Sequence, residues 1–441
     1  MIAMARKKSS ASKRLSPARI VAEESRYLMK TYRRPPVVFT HGRGARLYDS
    51  SGRSYLDFLG GIAVNALGYS HPRMVRVIRR EAGRATHVSN LFHNPYQAPL
   101  AHKLAQWSGL DRTFFCNSGS EAIEGALKLA RAYAHAKAST SGTSPKTRML
   151  ALENSFHGRT MGALSITHTP KYREPFAPLI PGIEFVRFND VADLDAKFDD
   201  GVCAVAIEPI QGEGGVNLVS EEFWERARTL TADHDAALIA DEIQSGLGRT
   251  GRRFAYQKFP SMPDIVTVAK PLAGGLPLGA FIASDKFASA LSPGMHGSTF
   301  GGGPLVCATA LEFLTIVEEE NLLANVRARG VELRAGLEKL ATKFDFIREI
   351  RGEGLIVGID LSVEGAPFVQ EALRRGLLIN CTHDHIVRLL PPFIIRAKEV
   401  AEFLGKLESV LARGANSAKN FPATAPNANA NSQPLALAAT R

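Results

Sequence analysis

The chain has 441 residues, of which 45% are hydrophobic and 22% charged, so it can bury a large core and should divide into a large and a smaller domain. It contains no apolar run near the roughly 18 residues that a bilayer-spanning helix needs, which excludes a membrane-spanning protein. The net charge of +11 would suit a nucleic-acid binder, but six of these positive charges lie in the first 22 residues. We therefore do not expect nucleic acid as a partner.

Residues 1–22 are basic, rich in serine and free of acids, and they lack the apolar stretch of a secretory signal. They are predicted to be a disordered tail, and the protein is expected in the cytoplasm. A transit peptide with an organellar location is the alternative, because its composition is similar. The four cysteines lie far apart without metal-ligand spacing, so we predict reduced thiols and no metal site.

Residues 23–80 are interpreted as an N-terminal arm and part of the small domain, since residues 45–58 resemble a hairpin around a turn at 49–52. Residues 81–310 are predicted to form the large domain. There, short apolar runs alternate with helical patterns, which is typical of a mostly parallel, doubly wound α/β sheet. The predicted strands are TFFC, RMLAL, IEFVRF, VCAVAIE, AALIA and IVTVA.

Residues 311–412 begin with a long helical pattern and continue with REIRGEGLIVGIDL and HIVRLLPPFII, which resemble strands of the smaller domain. The residues from 413 to 441 are rich in Ala, Asn and Pro and are predicted to be a second disordered tail.

One candidate phosphate site follows the strand TFFC. Ser118 and Glu121 have the spacing of a capping box, and Gly119 and Ser120 would occupy the first turn of the helix. Amide groups and the positive end of a helix dipole favour a phosphate there. A plain helix cap without a ligand is the alternative.

Two charged residues stand at the ends of predicted buried strands. Asp241 follows five small or apolar residues, and Ile243 should point to the same face while Gln244 points to the other. Lys270 ends DIVTVAK, and a desolvated lysine has a lowered pKa that suits covalent binding of a carbonyl group. Each residue alone has an ordinary alternative, namely an acid that caps a turn and a solvated surface charge.

Three further segments, 153–160, 208–215 and 296–303, combine glycines with a few polar residues. Ligands of doubly wound sheets gather at the carboxyl ends of the strands, where these segments and the two charged residues are predicted to lie. Together with the helix start they would suit one phosphorylated ring cofactor.

The motifs FFCNSGSEAIEGALKLAR, FHGRT, EPIQGEGGV, DEIQSGLGRTG and HGSTFGG, with the lysine segment, occur in the order found in class III, fold-type I aminotransferases. The chain resembles this family from about residue 32 to residue 412, and within it the acetylornithine and ornithine aminotransferases. The resemblance implies a fold-type I architecture, pyridoxal 5'-phosphate as cofactor, and a small α+β domain built from both chain ends.

The resemblance also implies residue roles. Lys270 would carry the cofactor and act as general base and acid, and Asp241 would pair with the ring nitrogen. Further cofactor contacts would come from residues above and below the ring, at its hydroxyl and at its phosphate: Gly119, Ser120, Phe156, Glu208, Ile243, Gln244 and Thr299. Thr299 would act from a partner subunit, so the family pattern implies a homodimer with shared active sites.

For substrates, the resemblance assigns Arg159 and Arg388 as carboxylate anchors and Glu213 as the residue that masks Arg388. An arginine that points outward from an edge strand is the alternative for Arg388. Tyr32 and Ser298 would also lie near the substrate.

Gly61 and Ile62 stand near the position where ornithine-specific relatives carry a tyrosine, which leaves room for an acylated amine. We therefore predict N-acetylornithine as donor and 2-oxoglutarate as acceptor, as in arginine biosynthesis. Ornithine, succinyl-diaminopimelate and 4-aminobutyrate are alternative donors.

An aminomutase or a decarboxylase would share the lysine and the aspartate, and a binding protein without activity is a further alternative. Three departures from the family pattern leave the reacting groups in place. They are Ser120 in the cradle, Phe300 in place of tyrosine, and Gly303 in place of asparagine.

Overall fold

The computed structural model describes residues 16–418, with side chains as far as residue 414. Its strands are β1 (Phe39–Arg43), β2 (Arg46–Asp49), β3 (Ser54–Asp57), β4 (Arg112–Cys116), β5 (Arg148–Leu152), β6 (Ile183–Val186), β7 (Val202–Ile207), β8 (Ile210–Gln211), β9 (Asn217–Leu218), β10 (Ala237–Asp241), β11 (Ile265–Val268), β12 (Gly279–Ala283), β13 (Ile347–Glu353), β14 (Ile356–Leu361), β15 (Leu377–Leu378), β16 (Asn380–Thr382) and β17 (Ile386–Leu389).

The helices are α1 (Pro17–Tyr27), α2 (Gly60–Ala63), α3 (Pro72–Ala82), α4 (Gln97–Ser108), α5 (Gly119–Ser141), α6 (Met161–Ser165), α7 (Pro170–Arg173), α8 (Val191–Lys197), α9 (Glu221–Asp233), α10 (Asp285–Ala288), α11 (Pro304–Glu319), α12 (Leu322–Ala341), α13 (Ala366–Arg374) and α14 (Ala397–Ala418). Short 3-10 turns cover Glu174–Phe176, Ala255–Lys258 and Lys270–Ala273.

The large sheet has seven strands in the order β4-β12-β11-β10-β7-β5-β6. All neighbouring strands from β11 to β6 are parallel, whereas β12 runs antiparallel to both β11 and β4. The prediction of a mostly parallel sheet is confirmed. The sequence reading missed β12, because this short strand follows directly on a segment rich in Gly and Pro.

Both faces of the sheet are covered, as a doubly wound fold requires. Met149 and Ala151 pack in the core that contains α5, whereas Leu150 and Leu152 belong to the core that contains Trp224 of α9. Side chains of successive strand residues point to opposite faces, so a strand that is apolar throughout supplies both cores.

The chain ends meet in the smaller part of the molecule. The predicted hairpin forms as β2 and β3, and β15 from the C-terminal region pairs in parallel with β3. A second sheet, β13-β14-β17-β16, holds the two strand segments predicted beyond residue 340. The long predicted helical pattern is two helices, α11 and α12, which are separated at Asn321 where φ is +51°. The domain boundaries at 80 and 310 stay predictions.

The two predicted disordered tails, residues 1–22 and 413–441, are too long, because helices cover part of each. Helix α1 covers residues 17–22, where Ser16 Oγ accepts the Arg19 N–H at 3.3 Å and Pro17 opens the helix. Helix α14 continues to Ala418, beyond the predicted limit at 412, and Gly414 is still buried against the Phe368 ring. The remaining tail residues lie outside the described range.

Cys116, Cys203 and Cys307 are buried free thiols and Cys381 is a partly buried one. Their reduced state and structural role stay predictions. Among the helices of residues 16–418, none combines the length and apolar character needed to cross a membrane.

Candidate active site

The chemically distinctive residues meet at one edge of the large sheet. Asn117 follows β4, Glu153 follows β5, Glu208 follows β7, Asp241 ends β10 and Lys270 comes shortly after β11. These five strands point the same way, so their carboxyl ends lie together. This is the position that doubly wound sheets use for ligands.

The start of α5 is capped as predicted. Ser118 Oγ accepts the Glu121 N–H at 3.2 Å, and the first helical hydrogen bond runs from Ala122 N–H to Ser118 O at 3.1 Å. The Glu121 carboxylate accepts the N–H of Asn117 and not that of Ser118, so the reciprocal half of the capping box is shifted by one residue. Gly119 precedes the helical bonds, so its amide group is available to an anion.

Two glycines, Gly119 at the start of α5 and Gly158 packed against it, have no room for a side chain. A Cβ atom on Gly119 would lie 2.9 Å from Ile243 Cδ1. A Cβ on Gly158, where φ is +136°, would lie 2.2 Å from Ser120 Oγ. Glycine at both positions therefore keeps the helix amides accessible to a ligand.

Asp241 is buried and held by three donors. His157 Nδ1 donates to its Oδ2 at 2.7 Å, and the Ile243 N–H and the Thr267 hydroxyl donate to Oδ1 at 3.0 and 3.2 Å. Thr267 is the partner of Asp241 in the parallel pairing of β10 with β11. These donors orient the carboxylate and offset the cost of its burial.

The charges of Asp241 and Glu208, two buried acids, act on Lys270. The φ of Lys270 is +38°, a strained value for a residue with a side chain. Burial lowers the pKa of Lys270 to about 8, although the charge of Glu213 acts in the opposite direction. Burial and the neighbouring Asp241 charge raise the pKa of Glu208 well above its usual value. The Glu208 carboxyl accepts the Phe156 N–H at 3.2 Å.

These groups surround a cavity of about 350 Å³. Its wall contains every predicted cofactor residue except Thr299: Gly119, Ser120, Phe156, Glu208, Asp241, Ile243, Gln244 and Lys270. The rest of the lining comes from Val64, Asn117, Ser118, His157, Gly158, Ala269 and the loop 275–278.

The turn α2 stands next to this cavity, because Val64 follows it directly. Its four residues all have positive φ between 57° and 67°, so it winds in the left-handed sense. The buried Asp57 carboxylate fixes it by accepting the N–H groups of Leu59 and Gly60 at 2.8 and 2.9 Å and the Tyr69 hydroxyl at 2.5 Å.

Arg388 is 0% exposed in the middle of its sheet, so the alternative of an outward edge-strand position is wrong. Arg388 Nη1 donates to Glu213 Oε1 at 2.6 Å and to Gln244 Oε1 at 3.0 Å. Arg388 Nε donates to Asn380 Oδ1 at 3.4 Å. Burial by itself would raise the pKa of Glu213, but the Arg388 charge and hydrogen bond outweigh it and lower the pKa. The predicted Glu213–Arg388 contact is thus present.

Arg159 lies at the surface of the same region. Its guanidinium carbon is 3.5 Å from the centre of the Tyr172 ring and 5.5 Å from that of Phe156. The Arg159 N–H donates to Ser120 Oγ at 3.3 Å, which ties its main chain to the start of α5.

The remaining predicted residues lie outside the cavity wall. Ser298 reaches it indirectly, because its hydroxyl accepts from Asn117 Nδ2 at 3.1 Å. Thr299 is exposed. Tyr32 is also exposed and lines a separate groove between α1 and β1, so the chain by itself does not bring it to Lys270.

Sequence reasoning missed several residues of the site. His157 belongs to 153–160, one of the three segments that combine glycines with polar residues, and its position next to Phe156 could have indicated it. Thr267 could have been found only from the strand register. Tyr172 and Asn380 give no sequence signal, since their contacts depend on segments far along the chain or on side-chain orientation.

A doubly wound sheet with a desolvated lysine, a buried oriented aspartate and a helix-start anion site at one edge defines an enzyme that binds a phosphorylated ring cofactor. The chain belongs to the class III aminotransferases, whose family model matches residues 27–411. It is 43% identical to the acetylornithine aminotransferase of Methanocaldococcus jannaschii over 88% of this chain and 96% of that protein. It is 42% identical to the acetylornithine aminotransferase of Aquifex aeolicus over 87% of this chain and 100% of that protein.

Among solved structures, the ornithine aminotransferase of Toxoplasma gondii ME49 superposes with a TM-score of 0.87 at 33% identity, covering 92% of this chain and 97% of that one. The fold-type I architecture is therefore confirmed.

Class III aminotransferases use pyridoxal phosphate, and the residues of the cavity fit this group. The glycines at the start of α5 leave amides for a phosphate, and Asp241 is oriented as a carboxylate that can receive a ring N–H. The lowered pKa of Lys270 suits an amine that must be neutral to bind an aldehyde. The protein is a pyridoxal-phosphate-dependent aminotransferase.

Proposed function

We propose that this enzyme transfers the side-chain amino group of N-acetylornithine to 2-oxoglutarate, giving N-acetylglutamate 5-semialdehyde and glutamate. The observation that carries the proposal is the buried Arg388 with Glu213 bound to it. The donor reacts at a carbon without a carboxylate, and glutamate reacts at a carbon that has one. A site for both substrates needs a carboxylate anchor that can be masked and unmasked.

Arg388 and Arg159 have separate roles in this proposal. Arg159 receives the distal carboxylate that both substrates carry. Arg388 binds the carboxylate beside the reacting carbon of glutamate after Glu213 has moved away, and it stays paired with Glu213 while the donor is bound. An aminomutase or a decarboxylase has no comparable need for such a pair, so this contact favours transamination.

Bound pyridoxal phosphate supplies an electron sink for the bond that breaks at the substrate carbon. Lys270 would hold it covalently until the substrate amine displaces Nζ, and the freed Nζ would then move a proton from the substrate carbon to C4' of the cofactor. Asp241 would receive the ring N–H, the amides of Gly119 and Ser120 would bind the phosphate, and Phe156 and Ile243 would enclose the ring.

Gln244 is proposed on the hydroxyl side of the ring, where its amide oxygen already accepts from Arg388. Glu208 lines the same cavity as a carboxyl of raised pKa, which favours its neutral form beside Asp241.

The choice of N-acetylornithine is supported by the relatives, which are named for this substrate. Gly61 and Ile62 supply the physical argument, because the left-handed turn offers no bulky side chain at Gly61 where a tyrosine would narrow the site. The fold by itself does not decide the donor, since ornithine aminotransferase structures superpose well on this chain.

A homodimer is part of the proposal. Leu91, Phe92 and Phe300 are 87%, 71% and 66% exposed, which is costly for a free surface. Asn90 connects the segment of Leu91 and Phe92 to the segment of Phe300, because its Nδ2 donates to the carbonyl groups of Ser298 and Gly301, both at 3.0 Å. A partner subunit that covers this surface would bring its Thr299 to the phosphate, with Ser298 and Tyr32 near the substrate. The proposed location is the cytoplasm.

The test is glutamate formation by the cofactor-loaded enzyme with 2-oxoglutarate and one donor at a time, compared as kcat/KM. The donors are N-acetylornithine, ornithine, succinyl-diaminopimelate and 4-aminobutyrate. A clear lead for N-acetylornithine is expected. A lead for another donor would overturn the substrate assignment, and release of carbon dioxide without glutamate would overturn transamination.

A further inference from the structure

The guanidinium group of Arg159 lies in a corner of two aromatic rings. Tyr172 is the closer ring, with 3.5 Å between its centre and the guanidinium carbon, and the Phe156 centre is 5.5 Å away. The two rings stand at 85° with centres 6.4 Å apart. A guanidinium this close to a ring face gains from cation–π attraction and stacking.

The polar contacts of Arg159 are as informative as the aromatic ones. Within residues 16–414, its side chain makes no ion pair and no hydrogen bond, and only its main-chain N–H is engaged, with Ser120 Oγ. Contact with a ring face leaves the N–H donors of a guanidinium free along its edges. The group is therefore fixed in place while its donors stay open to a carboxylate.

Arg388 is held in the opposite way. It is enclosed by a carboxylate and two amide oxygens, from Glu213, Gln244 and Asn380. A substrate carboxylate must displace Glu213 to reach it. An aromatic ring carries no charge and uses no donor, so Tyr172 does not compete with a carboxylate for Arg159.

We propose that Tyr172 is a positioning residue that makes Arg159 the permanent carboxylate anchor of the site, in contrast to the switchable Arg388. The proposal rests on the function proposed above. It extends that function by naming the group that fixes the anchor.

Tyr172 is well placed for this role. It belongs to the short helix α7, which Pro170 opens, and its N–H donates to Thr169 O at 3.0 Å. It also lines a second cavity of about 360 Å³, whose wall includes Phe156 and Glu213. Tyr172 thus contacts Arg159 and also shares a cavity wall with Glu213, the residue that masks Arg388.

The first experiment uses the holoenzyme with Tyr172→Leu and the matched control Tyr172→Phe, which keeps the ring and removes only the hydroxyl. Tyr172→Leu should raise KM for N-acetylornithine and for 2-oxoglutarate by about three- to fivefold with kcat changed less than about twofold, as expected for loss of an exposed cation–π contact. Tyr172→Phe should stay within about twofold of the unchanged enzyme. Tyr172→Met replaces the leucine variant if that protein does not fold.

The second experiment removes the carboxylate from the substrate. N-acetylputrescine is the same amine without the carboxylate, and its single-turnover reaction with the holoenzyme is followed by the cofactor's absorbance. Tyr172→Leu should leave this reaction unchanged. An equal loss with both amines would overturn the proposal, because Tyr172 would then act on the cofactor or the fold and not through the anchor.

A double-mutant cycle with Arg159→Met separates this proposal from the proposed function. In the Arg159→Met background, Tyr172→Leu should have no further effect on KM for N-acetylornithine. If Arg159→Met itself leaves KM unchanged, the proposed anchor is wrong. If Arg159→Met raises KM while Tyr172→Leu does not, only the inference about Tyr172 is wrong.

Discussion

Replacing Glu213 by alanine removes the carboxylate that holds Arg388 and tests the switch that the proposed function requires. The Arg388 side chain is fully buried, and without Glu213 it keeps only the weaker contacts to Gln244 and Asn380. Removing one partner of a fully buried pair costs about 3–5 kcal/mol, and because the Glu213 side chain is 31% exposed we expect about 2–3 kcal/mol.

This cost applies to only one of the two half-reactions. In the complex with N-acetylornithine, Arg388 would face no carboxylate, whereas glutamate supplies its own. The ratio of kcat/KM for glutamate to kcat/KM for N-acetylornithine should therefore rise. A difference of about 2–3 kcal/mol corresponds to a rise of roughly 30- to 150-fold.

The assay is single-turnover conversion of the cofactor, measured separately with each amine by its absorbance. Glu213→Gln is the matched control, since it keeps an acceptor for Arg388 but not the charge, and it should give a smaller shift in the same direction. Equal losses in both half-reactions would refute the reasoning, because the pair would then be structural and not a switch.

The lowered pKa of Glu213 sets the pH range of this behaviour. A carboxylate whose pKa falls on folding stabilises the protein above its unfolded pKa, and this contribution disappears only as the pH falls through the lowered value. The mask is therefore charged throughout the neutral range, and the ratio between the two half-reactions should not change with pH there.

Three further outcomes are expected. The rate at which the enzyme freed of cofactor recombines with pyridoxal phosphate should rise with an apparent pKa near 8, since Lys270 must be neutral to react and its pKa is lowered to about 8; a midpoint near 10.5 would contradict this. Gly119→Ala should weaken cofactor binding in an equilibrium titration, because the new Cβ lies 2.9 Å from Ile243, while unaltered affinity would argue against this helix start as the phosphate site. Gly60→Ala should lower the free energy of unfolding by about 2 kcal/mol or more in urea titrations, because φ is +57° and the Cβ would lie 2.5 Å from Leu390 O, and a stable variant would mean that the left-handed turn can relax.

Much of the fold and part of the site follow from local sequence pattern. Apolar runs of strand length identify six strands of the large sheet, and the start of α5 is predicted by Ser118 and its neighbours. The residues that follow strand ends could be recognised because parallel strands bring their carboxyl ends to one edge. This rule, together with the family resemblance, explains why Asp241 and Lys270 were found.

Other features depend on contacts that no local pattern describes. The Asp241–His157 bond joins residues 84 positions apart, and the Glu213–Arg388 contact joins residues 175 positions apart. Strand β12 lies between β11 and β4, although its sequence follows a loop segment and it runs against its neighbours.

The sequence by itself determined six strands of the large sheet and the cap at the start of α5, because hydrophobic period and capping are properties of short segments. Together with the family resemblance, it also indicated the candidate reacting groups. Only the tertiary structure decided how those groups are held. It places Arg388 behind a carboxylate and Arg159 against the Tyr172 ring, since the partners of a side chain depend on the path of the whole chain and on the direction of its rotamers.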